Sequence, residues 1–125
     1  MTIRSIDRFV TSLWDWNILA GCFPRTCRPT DIDGMVEIGG HYLVMEGKGR
    51  GVEIPVAQRR MFSSMAYHNR RLPGLFAVIV FWGVPEARTV EQIQFWPSDP
   101  MPGNLDMLRD YVTAWAGFAE EHKWT

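Results

Sequence analysis

Four residues stand out for the chemistry that their types and spacing permit: Asp31, Asp33, Glu46 and Lys48. They flank the dipeptide Gly39-Gly40, with a period-two apolar pattern before it, so the segment from Asp31 to Gly47 reads as a β-hairpin with that dipeptide as its turn. Counting outward from the turn pairs Ile38 with His41, Gly34 with Met45, Asp33 with Glu46 and Asp31 with Lys48. Alternation along the strands sends the three acids and the lysine to one face, with directly opposite Cβ atoms about 4.5–5.5 Å apart. Carboxylates facing each other repel unless a cation, a shared proton or water intervenes. Carboxylate oxygens completed by water suit Mg²⁺ or Mn²⁺, whereas the imidazole and thiolate ligands of a zinc site do not cluster in this sequence. Such an ion, with a lysine beside it, activates water and offsets charge on a phosphoryl transition state, so the expected chemistry is metal-assisted phosphodiester hydrolysis.

The elements that must position these groups follow from periodicity. Ser5 to about Ala20 carries apolar residues at three- and four-residue spacing and predicts a first helix, ending in a loop at Gly21 to Pro29. After the hairpin, Gly47-Lys48-Gly49-Arg50-Gly51 reads as a basic glycine-rich loop. It is not a phosphate-binding Walker loop, because Gly49 follows the lysine where serine or threonine belongs. A second helix is expected from Pro55 to about Arg71, with Val56, Met61, Met65 and Leu72 toward the core. Leu75 to Trp82 is a short, continuous apolar run that predicts a central strand buried on both faces. Glu91 to Trp96 predicts another strand, and Leu105 to about Glu121 a third helix capped by Asn104. The order implies an α/β chain with a mixed (α+β) central sheet flanked by helices.

At 125 residues, 46% of them hydrophobic, the sequence suits a single domain over 1–125 with a substantial core. No apolar run approaches the roughly 20 residues of a membrane span, and the first residues lack a signal-peptide pattern, so no membrane partner and a cytoplasmic location are expected. The net charge of -1 excludes a polycationic nucleic-acid coat. Its distribution is uneven: residues 29–46 carry net -4 and residues 47–71 net +5. An acidic cluster followed by a basic stretch suits a metal site beside a phosphate-binding face, formed by Arg50, Arg59, Arg60, Arg70 and Arg71.

Pro29-Thr30-Asp31-Ile32-Asp33-Gly34, then Glu46-Gly47-Lys48, then a helix bearing Gln58, resemble the PD-(D/E)xK nuclease superfamily over roughly residues 5 to 82. With the Trp14-Asp15-Trp16 segment, the pattern is similar to small nuclease-like proteins of bacteriophages. The resemblance implies a restriction-endonuclease-like αβββαβ core, Mg²⁺ (or Mn²⁺) as cofactor and DNA as substrate. It implies catalytic roles for Asp33, Glu46, Lys48, Asp31 and Gln58, with the acids Asp33, Glu46 and Asp31 as metal ligands, Lys48 assisting the attacking water and Gln58 in support. It also implies an added acid near the metal, the place open to Asp15. Asp33 faces Glu46 in the register above, while Asp31 sits closer to the family's Pro-Asp spacing, and a single bulge would exchange them. The sequence departs from the family in three places. Only two strands are evident before the second helix, glycine fills the middle of Glu-Gly-Lys, and Phe62 stands where a tyrosine would follow Gln58.

A nuclease that cuts both strands of a duplex needs two sites, which a homodimer supplies. The competing expectation is a non-catalytic module on the same fold, binding nucleic acid or a host or phage protein, the latter through exposed residues such as Trp96, Met101, Met107 or Trp124. His41, His68 and His122 are scattered and read as structural or solvent-facing, and Cys22 and Cys27 as buried or half-buried thiols.

Overall fold

The computed structural model describes residues 15–24, 29–71 and 76–124. The chain divides into two compact units, Met1–Thr30 and Asp31–Thr125, each taken by itself. In the first, residues 16–19 form a 3-10 turn rather than the end of a long helix. Asp15 is extended (φ -85°, ψ 111°), and its carboxylate caps the turn by accepting from the Asn17 N–H at 2.9 Å. A helix cannot run through that conformation, so the expected Ser5–Ala20 helix is corrected at its end; residues 1–14, with Trp14, lie outside the described ones. Cys22 is exposed, against expectation, and Cys27 lies outside the described residues.

The second unit is a mixed α+β structure built on a five-stranded sheet. Its strands are β1 (Gly34–Ile38), β2 (His41–Gly49), β3 (Phe76–Val84), β4 (Thr89–Phe95) and β5 (Met101–Pro102), adjacent in that order. The helix α1 (Val56–Arg71) connects β2 to β3, which pair in parallel, and α2 (Leu105–Glu121) follows β5. The other neighbours are antiparallel. The hairpin register is the one counted from the sequence, from Ile38 opposite His41 to Gly34 opposite Met45. Gly39 and Gly40 take φ of +55° and +91°, the left-handed pair a primed two-residue turn requires.

Two apolar layers sandwich the sheet. On one face Val44, Val78, Val80 and Trp82 pack with Ile54 and with Phe62 of α1; on the other Leu43, Ile79 and Ile93 pack with Leu108, Trp115 and Ala119 of α2. The buried side of α1 runs through Gln58, Phe62 and Met65, at i, i+4 and i+7. Val56, expected in the core, is two residues off that line and 67% exposed. The expected glycine-rich loop begins later than its sequence suggests, because Gly47, Lys48 and Gly49 still belong to β2. The short β5 had no sequence signal, since two residues carry no periodicity. Among the described residues no helix is long and apolar enough to cross a membrane.

Candidate active site

Alternation along β2 sends Val44, Glu46 and Lys48 to the face covered by α1. Val44 enters the apolar layer, and the next two residues of the same parity carry charge toward the first turn of α1, where Gln58 waits. The Lys48 Nζ donates to Gln58 Oε1 at 2.8 Å and lies 3.3 Å from Glu46 Oε1, and Gln58 Nε2 donates to the same Glu46 oxygen at 3.1 Å. The amide orientation is fixed by chemistry: an ammonium can only donate and a carboxylate can only accept, so the Gln58 oxygen faces Lys48 and its nitrogen faces Glu46. Glu46 and Gln58 are buried, at 4% and 8% exposure.

Asp33 completes the group from just before β1. Its backbone N–H donates to Glu46 Oε2 at 3.3 Å, and its own Oδ2 accepts the N–H of Gly47 at 3.0 Å. The ladder has ended at Gly34, so these two carboxylates stand in for its next hydrogen bonds and tie the strands together. Two carboxylates and a lysine therefore gather as the register predicts. Asp31 does not join them through its side chain. Unbroken alternation would put Ile32 on the α2 face, yet Ile32 packs against the layer under α1. The chain bends at Asp33, and the contact from Asp31 is its carbonyl, 3.5 Å from Gln58 Nε2, while its side chain is exposed. Between the two aspartates, it is Asp33 whose carboxylate sits in the cluster.

Among the described residues no three His, Cys, Asp or Glu side chains gather as a metal-binding group; the carboxylates that could hold an ion at the cluster are those of Asp33 and Glu46. That set fits magnesium, which is commonly held by one or two carboxylates with waters and substrate phosphate oxygens completing the shell. The Lys48 ammonium, with two partners among the described residues, keeps a third proton for a water or a phosphate oxygen.

The basic residues divide. Arg50, expected on nucleic acid, instead makes a two-pronged ion pair with Glu91 of β4, both contacts at 2.8 Å. That hydrogen bonding raises the Arg50 pKa and holds the Glu91 carboxyl below its usual range. Arg59 and Arg60 are exposed on α1, the former donating from Nε to the Ile54 carbonyl at 3.0 Å; the side chains of Arg70 and Arg71 lie outside the described ones. Asp15 belongs to the other unit. Burial raises the Tyr111 pKa.

Sequence reading missed two supports of the site. The Trp82 indole N–H donates to the Val52 carbonyl at 2.7 Å, pinning the loop that leads from Lys48 to Gln58. Buried indole N–H groups usually find such a partner, although those of Trp96 and Trp115 have none among the described residues. Gly47 supplies the N–H that holds Asp33, and its lack of a side chain makes room for Phe81 on the opposite face, where a Cβ would lie 3.0 Å from the ring. This accounts for glycine within Glu-Gly-Lys. His41 is structural, as expected: it is buried at 1% exposure and hydrogen-bonds through Nε2 to the His122 carbonyl.

No family model, curated protein or solved structure matches the chain.

Proposed function

We propose that the chain is a Mg²⁺- or Mn²⁺-dependent nuclease that hydrolyses the phosphodiester bonds of DNA, on a restriction-endonuclease-like core of the PD-(D/E)xK type. The observation that carries this reading is the Glu46, Lys48 and Gln58 triangle with Asp33 at its edge. Taking a carboxylate and an ammonium out of water is costly, and such pairs often mark functional sites rather than stable ones. The run of hairpin, helix and parallel strand agrees with the later part of the αβββαβ order. The strand that would precede it falls in a segment only partly described.

In this reading Asp33 and Glu46 hold the ion. When bound, it supplies Lewis acidity to a phosphate oxygen and lowers the pKa of water. Lys48 orients the attacking water through its remaining proton and offsets charge on the phosphate. Gln58 fixes Lys48 and Glu46 relative to each other, so that neither side chain must be ordered during the reaction. Arg59 and Arg60 meet backbone phosphates.

Magnesium and manganese titrations followed by melting temperature test the metal half of this reading. A rise that saturates with metal and disappears in Glu46→Gln is expected, because a ligand that binds only the folded state stabilises it by mass action. No rise with either ion, alone or with a non-cleavable DNA oligonucleotide present, favours the second reading, a binding module without catalysis. Two observations speak for that alternative. Both Glu46 oxygens are already satisfied within the protein, and Met101, Met107 and Trp124 are exposed.

A further inference from the structure

Among the described residues the sheet ends in two edges of different character. At one, β5 is two residues long and one of them is Pro102, which has no N–H to offer a further strand. At the other, β1 is Gly34-Met35-Val36-Glu37-Ile38, with no proline, no lysine and no bulge in its pairing with β2. Natural sheets guard a long edge with such devices, since its unpaired backbone groups accept another strand. The single charge of β1 does not guard it, because the Glu37 carboxylate is turned to the hairpin tip, where it accepts the Gly40 N–H at 2.8 Å. Met35 on one face of the sheet and Val36 on the other are 48% and 38% exposed.

The hairpin fixes which backbone groups point outward. Its two-residue turn bonds Ile38 to His41, so by alternation Val36 and Gly34 direct their N–H and C=O groups to Leu43 and Met45, and Met35 and Glu37 direct theirs away from β2. Those two residues lie symmetrically about Val36. A second β1 running antiparallel, with Val36 on the two-fold axis, therefore satisfies them all: Met35 of each copy exchanges a pair of hydrogen bonds with Glu37 of the other. Charge selects the same register. Centring the pair on Met35 would set Glu37 against Asp33 of the other copy, and centring it on Glu37 would set that acid against itself, whereas about Val36 Glu37 meets Met35 and Asp33 meets Gly39.

We propose that β1 is the interface of a homodimer, in which the β1 strands of two copies pair antiparallel about Val36 and the two sheets join into one. A second copy is favoured over a foreign strand because the edge is complementary to itself in both hydrogen bonding and charge. One short strand per copy makes a contact at the low end of specific interfaces, so the dimer is expected to dissociate in the micromolar range. The axis stands perpendicular to the sheet, so both acidic clusters lie on the same side, with the two Asp33 residues about 20 Å apart along the strands. The use of that arrangement, two sites facing the two strands of one duplex, rests on the nuclease reading; the dimer itself does not.

Sedimentation equilibrium of the full chain from about 1 μM to about 1 mM reads the association without reference to cleavage, and a reversible monomer–dimer equilibrium is expected. Met35→Pro removes an N–H that points away from β2, so it should keep the fold by circular dichroism and weaken the dimer by about tenfold or more. Val36→Lys, which sets two ammonium groups face to face on the axis, should do the same. Oxidation reads the register, in a Cys22→Ser, Cys27→Ser background. Val36→Cys should give a disulfide-linked dimer, because facing residues at a non-hydrogen-bonded position bring their Cα atoms to about 4.5 Å, while Met35→Cys, opposite Glu37, should not. A monomer throughout the concentration range overturns the proposal, and so does a dimer that survives both Met35→Pro and Val36→Lys or crosslinks as readily through Met35→Cys as through Val36→Cys. A dimer without cleavage would count against the nuclease reading alone, and a cleaving monomer against the interface alone.

Discussion

Burial changes what a substitution at the cluster does. Glu46 is almost fully enclosed, and its only neighbouring cation among the described residues is Lys48. Lys48→Met strands a carboxylate in a site of low polarity and is expected to destabilise the fold by about 3–5 kcal/mol as well as to remove activity. The double variant Glu46→Gln with Lys48→Met removes both charges and should recover most of that loss, with activity still absent. Chemical denaturation of the two single variants and the double variant reads this directly. Additive losses would show that the pair is not coupled. Gln58→Leu takes away the amide that bridges the pair and leaves both charges in place, so the loss of activity should exceed the loss of stability.

The elements deliver these residues through ordinary packing. Phe62 anchors α1 one turn beyond Gln58 and is fully buried, so Phe62→Ala should cost about 3–5 kcal/mol and loosen the Lys48–Gln58 contact with it. Calorimetry checks the first effect, and the Gln58 side-chain amide resonance the second. The Arg50–Glu91 pair ties the end of β2 to β4. Glu91 is held below its unfolded pKa, so the folded state binds less proton than the unfolded one in that window. Its small stabilising effect is therefore present above the usual carboxylate range and lost as pH falls through the lowered value. An NMR titration of the Glu91 carboxyl in wild type and in Arg50→Ala should show the depression only in the former.

Legibility at this scale followed the strength of the local pattern. Gly39-Gly40 fixed a register that the structure keeps, and Asn104 with the 3.6-residue stripe marked α2 from Leu105 to Glu121. What escaped were effects that periodicity does not carry. These include the bend that removes the Asp31 side chain, the extended Asp15 that stops a helix, and a partner for Arg50 some forty positions along the chain.

At the scale of the molecule, the uneven charge reduces to fewer available cations than the sequence suggests, because Arg50 is spent within the fold. Arg59 and Arg60 remain exposed on the helix that carries Gln58. If both contact phosphates, Arg59→Ala with Arg60→Ala should lower the salt slope of DNA binding by about 2, while Arg50→Ala should hardly change it. Fluorescence anisotropy across a salt series measures both. Unequal weight also falls on the two faces of the sheet, the acidic cluster lying under α1 and an apolar cavity near α2.

The claim that the cluster is hydrolytic is tested most directly by cleavage of labelled DNA: single-stranded, duplex, flapped and four-way-junction substrates, with Mg²⁺, Mn²⁺ or EDTA. The wild type is compared with the charge-free Glu46→Gln, Lys48→Met double variant. Cleavage of at least one substrate that requires the metal and is lost in the folded double variant is the predicted result. Cleavage that persists in that variant, or no cleavage by folded wild type with either ion, would contradict the account.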